Sequence, residues 1–200
     1  MKNTFLAVLM LALSGSAAQA ALVSCPTSFT TDGTAKVYYG DQLTAASACQ
    51  YVEPPDNNEV ANLTNINEAG FFGFTNWTAN AGQLQVGQGG ATGTWDILNP
   101  NFATTDYAIV FKDGADTNLI AFLFNEEAAS GNWITPFTDP PFDFPGNSQL
   151  HGVSHYSIVQ RTAGGPPPPP PPPPPVPEPT SLVLLGISLL GMGYARRRRQ

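Results

Sequence analysis

Tyr107-Ala108-Ile109-Val110-Phe111-Lys112-Asp113-Gly114-Ala115-Asp116-Thr117-Asn118-Leu119-Ile120-Ala121-Phe122-Leu123-Phe124 sets the fold class. The first run, 107–111, is almost wholly apolar, as expected of a strand covered on both faces. The second, 119–124, puts Ile120, Phe122 and Phe124 on one side by its two-residue period. Asp113-Gly114 between them is a hairpin signal. Asp113, Asp116 and Asn118 also read as oxygen ligands for calcium, but a calcium loop needs more carboxylates at fixed offsets, so the turn is preferred.

Working outward, the same grammar repeats. Residues 71–77, 83–86, 94–97, 132–137 and 153–159 are short β-branched or aromatic runs bounded by Gly, Asn, Asp and Pro. They recur at intervals of roughly ten residues. In 94–97 the alternation places Trp95 and Ile97 on one face. Residues 36–39 form a further short strand, and 54–58 a loop by composition. The best helix candidate in the body is 59–69, although it carries three asparagines. This pattern predicts a mainly β domain over residues 21–163, an antiparallel β-sandwich of jelly-roll-like kind.

The chain has 200 residues and a formal charge of −7. The acid is concentrated: between residues 21 and 165 stand fourteen acidic side chains against Lys36, Lys112 and Arg161, a formal charge of −11. Such a surface repels phosphate backbones, so no nucleic-acid partner is expected.

Cys25 and Cys49 are the only cysteines. Outside the cytoplasm an even pair reads as a disulfide, worth about 3–4 kcal/mol in the chain-entropy model; two free thiols are the alternative. No cysteine or histidine set has metal-ligand spacing, and neither metal nor cofactor is expected.

Trp77, Trp95 and Trp133 read first as core, second as stacking platforms for sugar rings. Glu126-Glu127 and the pair His151 and His155 are the only groups that suggest hydrolysis. Histidines four apart in a strand share a face, while Ser154 should point to the other. A third partner is missing, so the body is read as having no catalytic activity. The sequons at Asn62 and Asn76 carry little weight.

Both ends look like addresses. Lys2, an apolar stretch over 5–13 and the small-residue run ending Ala18-Gln19-Ala20 form a secretory signal peptide over 1–20, with Ala18 and Ala20 flanking an A-x-A cut site. Its rival reading is the first helix of a domain. At the other end, residues 164–175 are a Gly/Pro linker whose ten prolines adopt polyproline II, a stiff spacer of about 30 Å. Residues 180–195 would make a helix of about 24 Å, short for a bilayer core of about 30 Å. Arg196, Arg197, Arg198 and Arg199 should stay cytoplasmic, leaving the body outside.

The segment 176–200 resembles the PEP-CTERM sorting signal of Gram-negative bacteria: Val176-Pro177-Glu178-Pro179-Thr180, an apolar glycine-bearing helix, then a terminal arginine cluster. The resemblance implies an inner-membrane precursor facing the periplasm. It implies processing near Pro177-Glu178-Pro179 by an exosortase, a membrane-embedded cysteine protease. It also implies a mature form at the cell surface or beyond, in cells that make exopolysaccharide. Gly93-Thr94-Trp95, Ile109-Val110-Phe111-Lys112, Ser130-Gly131-Asn132-Trp133 and Val153-Ser154-His155-Tyr156 occur in an order similar to uncharacterised domains borne by such proteins. Those domains are taken as β-sandwiches without a known activity. The expected protein is therefore an exported, exosortase-processed surface or biofilm-matrix component. A carbohydrate-binding module is the alternative, and a hydrolase ranks below it.

Overall fold

The computed structural model describes residues 21–53, 61–114, 119–144 and 149–164. The signal peptide, the proline spacer, the terminal helix and the arginine cluster lie outside them, as do Asp116 and Asn118. Among the described residues no helix is long and apolar enough to cross a membrane.

Among the described residues eleven strands carry the fold: β1 (Ala21–Ser24), β2 (Val37–Tyr39), β3 (Leu43–Thr44), β4 (Ala46–Glu53), β5 (Thr78–Ala79), β6 (Val86–Gly90), β7 (Thr92–Asp96), β8 (Thr105–Lys112), β9 (Leu119–Phe124), β10 (Ser130–Ile134) and β11 (Val153–Thr162). Helix α1 (Leu63–Ala69) stands between β4 and β5. All pairings are antiparallel. The larger sheet runs β1-β4-β9-β8-β11-β5, with β6 also on β11; the smaller runs β3-β2-β10-β7. The expected antiparallel sandwich is present.

The hairpin of β8 and β9 occupies the middle of the larger sheet. Its register, from Ala108↔Leu123 to Lys112↔Leu119, closes a loop of six residues, longer than a tight Asp-Gly turn. Both faces of the pair are buried, as the apolar runs require. Tyr107, Ile109, Phe111, Ile120, Phe122 and Phe124 face the smaller sheet and its Val37, Trp95 and Trp133. The alternate positions Ala108, Val110, Leu119 and Ala121 face a second apolar layer with Ile66, Phe71 and Trp77. Bulky rings thus fill the space between sheets, and smaller side chains receive the helical cover. Each fully buried Ile or Phe contributes about 1.5–3 kcal/mol.

That cover is where expectation and structure part. The strand expected over 71–77 is instead a 3-10 turn at Phe71–Gly73 followed by extended chain. Gly70 and Phe72 both have positive φ, which breaks the strand that their apolar neighbours suggested. The helix is shorter than 59–69 and begins at an asparagine: Asn62 accepts from the Asn65 amide at 2.9 Å, and Gly70 closes the other end in the left-handed region. Asn67 brackets the Trp77 backbone, donating to its carbonyl at 3.0 Å and accepting from its amide at 2.7 Å. The asparagines that argue against a helix are its cap and its anchor.

In the smaller sheet, β7 and β10 exchange glycine for tryptophan. Gly93 lies opposite Trp133 and Gly131 opposite Trp95. A Cβ at Gly93 would enter the Trp133 ring, and one at Gly131 would come within 2.8 Å of Trp95. Each indole therefore lies flat over a neighbouring backbone that only glycine leaves open.

Candidate functional site

The three tryptophans are core residues. Trp77, Trp95 and Trp133 are 2 %, 2 % and 0 % exposed. This corrects their candidacy as ligand-contact aromatics. The alternation that made them look regular is the alternation of inward positions. Trp95 also donates its Nε1 hydrogen to the Asn132 carbonyl at 3.0 Å, so both its faces and its polar tip are committed.

Cys25 and Cys49 form a disulfide. It sits where β1 leaves β4, next to the Cys25 amide that donates to the Cys49 carbonyl at 3.1 Å. It pins the edge strand of the larger sheet.

His151 and His155 do not act as neighbours on one strand. β11 begins only at Val153, and a bulge falls between Val153 and His155. His151 Nδ1 lies 2.9 Å from a carboxylate oxygen of the fully buried Asp113. Its ring stacks on Phe144, centroids 3.9 Å apart and planes within 14°. Ser154 turns back toward the other histidine instead of away. Its hydroxyl donates to the Asp113 carbonyl at 2.7 Å and lies 2.9 Å from His155 Nδ1. The serine contact and the aspartate contact thus belong to different histidines, and they do not line up as the nucleophile–base–orienter chain of a hydrolase. The arrangement ties the 135–152 segment to the ends of β8 and β11.

Glu126-Glu127 lies in the turn between β9 and β10. Glu127 accepts from the Tyr39 hydroxyl at 2.6 Å, which raises the Tyr39 pKa above its usual value. Glu126 has a φ of 68° and is exposed. Among the described residues no group of three or more His, Cys, Asp or Glu is arranged to hold a metal ion. Asp113, one of the calcium candidates, is held by His151.

One feature of the body escaped sequence reading. Among the described residues, the outward positions of the smaller sheet are exposed or half-buried. Thr44, Tyr38, Asn132 and Thr94 stand in register straight across its four strands. Val37 points inward and is fully buried, so Tyr38 points out. Two adjacent tyrosines, Tyr38-Tyr39, give no hint of which one faces solvent. Only the strand's parity, visible once Val37 is placed, decides it.

Beyond the body, residues 175–199 match the family model of the PEP-CTERM protein-sorting motif. No curated protein and no solved structure matches the chain. The matched segment spans the proline-glutamate-proline motif, the apolar stretch and the arginines, which together imply export, a membrane-anchored precursor and processing by exosortase. The chain thus carries a PEP-CTERM protein-sorting motif at 175–199, with a β-sandwich body ahead of it.

Proposed function

We propose that the body is a non-catalytic component of the cell surface or extracellular matrix, delivered by exosortase processing into an exopolysaccharide-associated envelope or biofilm. The observation that carries this reading is the sorting motif at 175–199. The body supports it in two ways. A −11 domain with a disulfide suits an oxidising exterior. The histidine, serine and carboxylate groups are engaged in holding the 135–152 segment and the turns together.

The test is fractionation of the producing cells with and without residues 175–199. The intact protein is expected to leave the inner membrane and to associate with the matrix. The truncated protein is expected to stay in the periplasm. Equal distribution of the two forms would refute the reading.

A further inference from the structure

We propose that the secretory signal is cut between Ala20 and Ala21 before β1 docks on β4, because the docked strand, once locked by the Cys25–Cys49 disulfide, shields that bond from the protease. The A-x-A run Ala18-Gln19-Ala20 stands directly before Ala21, the first residue of β1. The cut site and the edge strand therefore share a boundary. Such an order of events lies outside the envelope reading above and does not depend on the sorting motif.

The geometry comes from register. Ala21 stands opposite Glu53, Leu22 opposite Val52, Val23 opposite Tyr51 and Ser24 opposite Gln50. One residue further on, the Cys25 amide donates to the Cys49 carbonyl at 3.1 Å, which marks that pair as a hydrogen-bonded one. Its Cα separation of 5.3 Å agrees, since such pairs stand at about 5.5 Å and the alternate ones at about 4.5 Å. Hydrogen-bonded pairs recur at every second residue, so Val23↔Tyr51 and Ala21↔Glu53 belong to the same set. The Ala21 nitrogen is thereby turned toward the Glu53 carbonyl.

That nitrogen is the leaving group of the bond to be cut. Hydrolysis adds water across the Ala20–Ala21 amide, the oxygen to the Ala20 carbonyl carbon and both hydrogens to the Ala21 nitrogen, leaving a carboxylate and an ammonium group. A protease needs this bond extended in its own cleft, with free chain on both sides. With β1 docked, β4 lies about 4.8 Å to one side and holds the leaving nitrogen in the ladder. Cutting must then wait for β1 to open.

The disulfide decides how rarely that happens. Among the described residues β1 pairs only with β4, and it is four residues long with both end residues exposed. Such an edge frays readily on its own. Cys25 directly follows β1, and its bond to Cys49 on β4 removes that freedom. Beyond Glu53 the sequence continues Pro54-Pro55, which carry no amide hydrogen, so β4 has no donor to extend the ladder past Ala21.

The test uses the full chain in mild detergent, with Cys25 and Cys49 oxidised or reduced, mixed with purified bacterial signal peptidase. Mass spectrometry reads the rate and the position of the cut. The oxidised chain is expected to be cut about tenfold more slowly than the reduced one, in proportion to how rarely β1 opens. A second variant separates this effect from general loosening on reduction. A Gly/Ser spacer of about four residues inserted between Ala20 and Ala21 carries the bond out of the ladder, and that chain should be cut at one rate in both states. Equal rates for the oxidised and reduced chain without the spacer would overturn the proposal. So would an oxidised spacer chain cut as slowly as the oxidised chain without one, cutting at any other bond, or no cutting in either state. None of these outcomes touches the reading of residues 175–199, and mislocalisation of the truncated protein leaves this rate comparison intact.

Discussion

Gly131 shows how closely single residues determine the smaller sheet. A Cβ there would strike the Tyr38 carbonyl as well as the Trp95 ring, and backbone cannot swing aside as a side-chain tip can. Gly131→Ala should therefore cost about 1–3 kcal/mol, read as a lower urea midpoint at unchanged slope. Gly33, with nothing near its added Cβ but a φ of 79°, would show only backbone strain on the same change. Titration makes a second residue-scale prediction. Burial raises the pKa of Tyr51 and of Tyr156 above 10.0. A raised value in the folded state means stability that is complete below pH 10 and is lost as pH climbs through the folded values. Stability measured by denaturant should fall in that alkaline window, and Tyr156→Phe should make the fall shallower. The sequence identified Trp95 and Ile97 as sharing a face. It did not show that the glycine opposite each tryptophan is a steric requirement, because that depends on which strands pair.

At the scale of elements, β8 and β9 were legible because long apolar runs have few other places to go. β4 was not. Its Ala46-Ser47-Ala48-Cys49-Gln50-Tyr51-Val52-Glu53 has few β-branched residues and little apolar contrast, yet it is a central strand between β1 and β9. Tertiary pairing and the disulfide, not propensity, make it one. Reducing the Cys25–Cys49 bond, or replacing both cysteines by serine, should cost about 3–4 kcal/mol in thermal or urea unfolding. The loss should appear first as exchange of the β1 and β4 amides, since among the described residues β1 pairs only with β4. Helix α1 illustrates the converse problem. Its asparagines lower helix propensity, but Asn62 is the cap, so Asn62→Ala should cost about 1 kcal/mol. A propensity reading counts the residue against the helix because it cannot see that the side chain turns back onto the Asn65 amide.

For the molecule as a whole, the body and its address were unequally legible. The sorting motif is a linear signal read by another protein, so its meaning survives in one dimension. The body's surface is a product of folding, and its exposed face became visible only when Tyr38, Asn132 and Thr94 came into one row from separate strands. The central claim, export with exosortase processing at 175–199, is tested most directly by intact-mass spectrometry of the protein recovered from its producing cells. The account predicts a mature chain that ends near Pro177-Glu178-Pro179 and lacks Arg196 to Arg199. Recovery of the chain from the inner membrane with all four arginines still attached would contradict it.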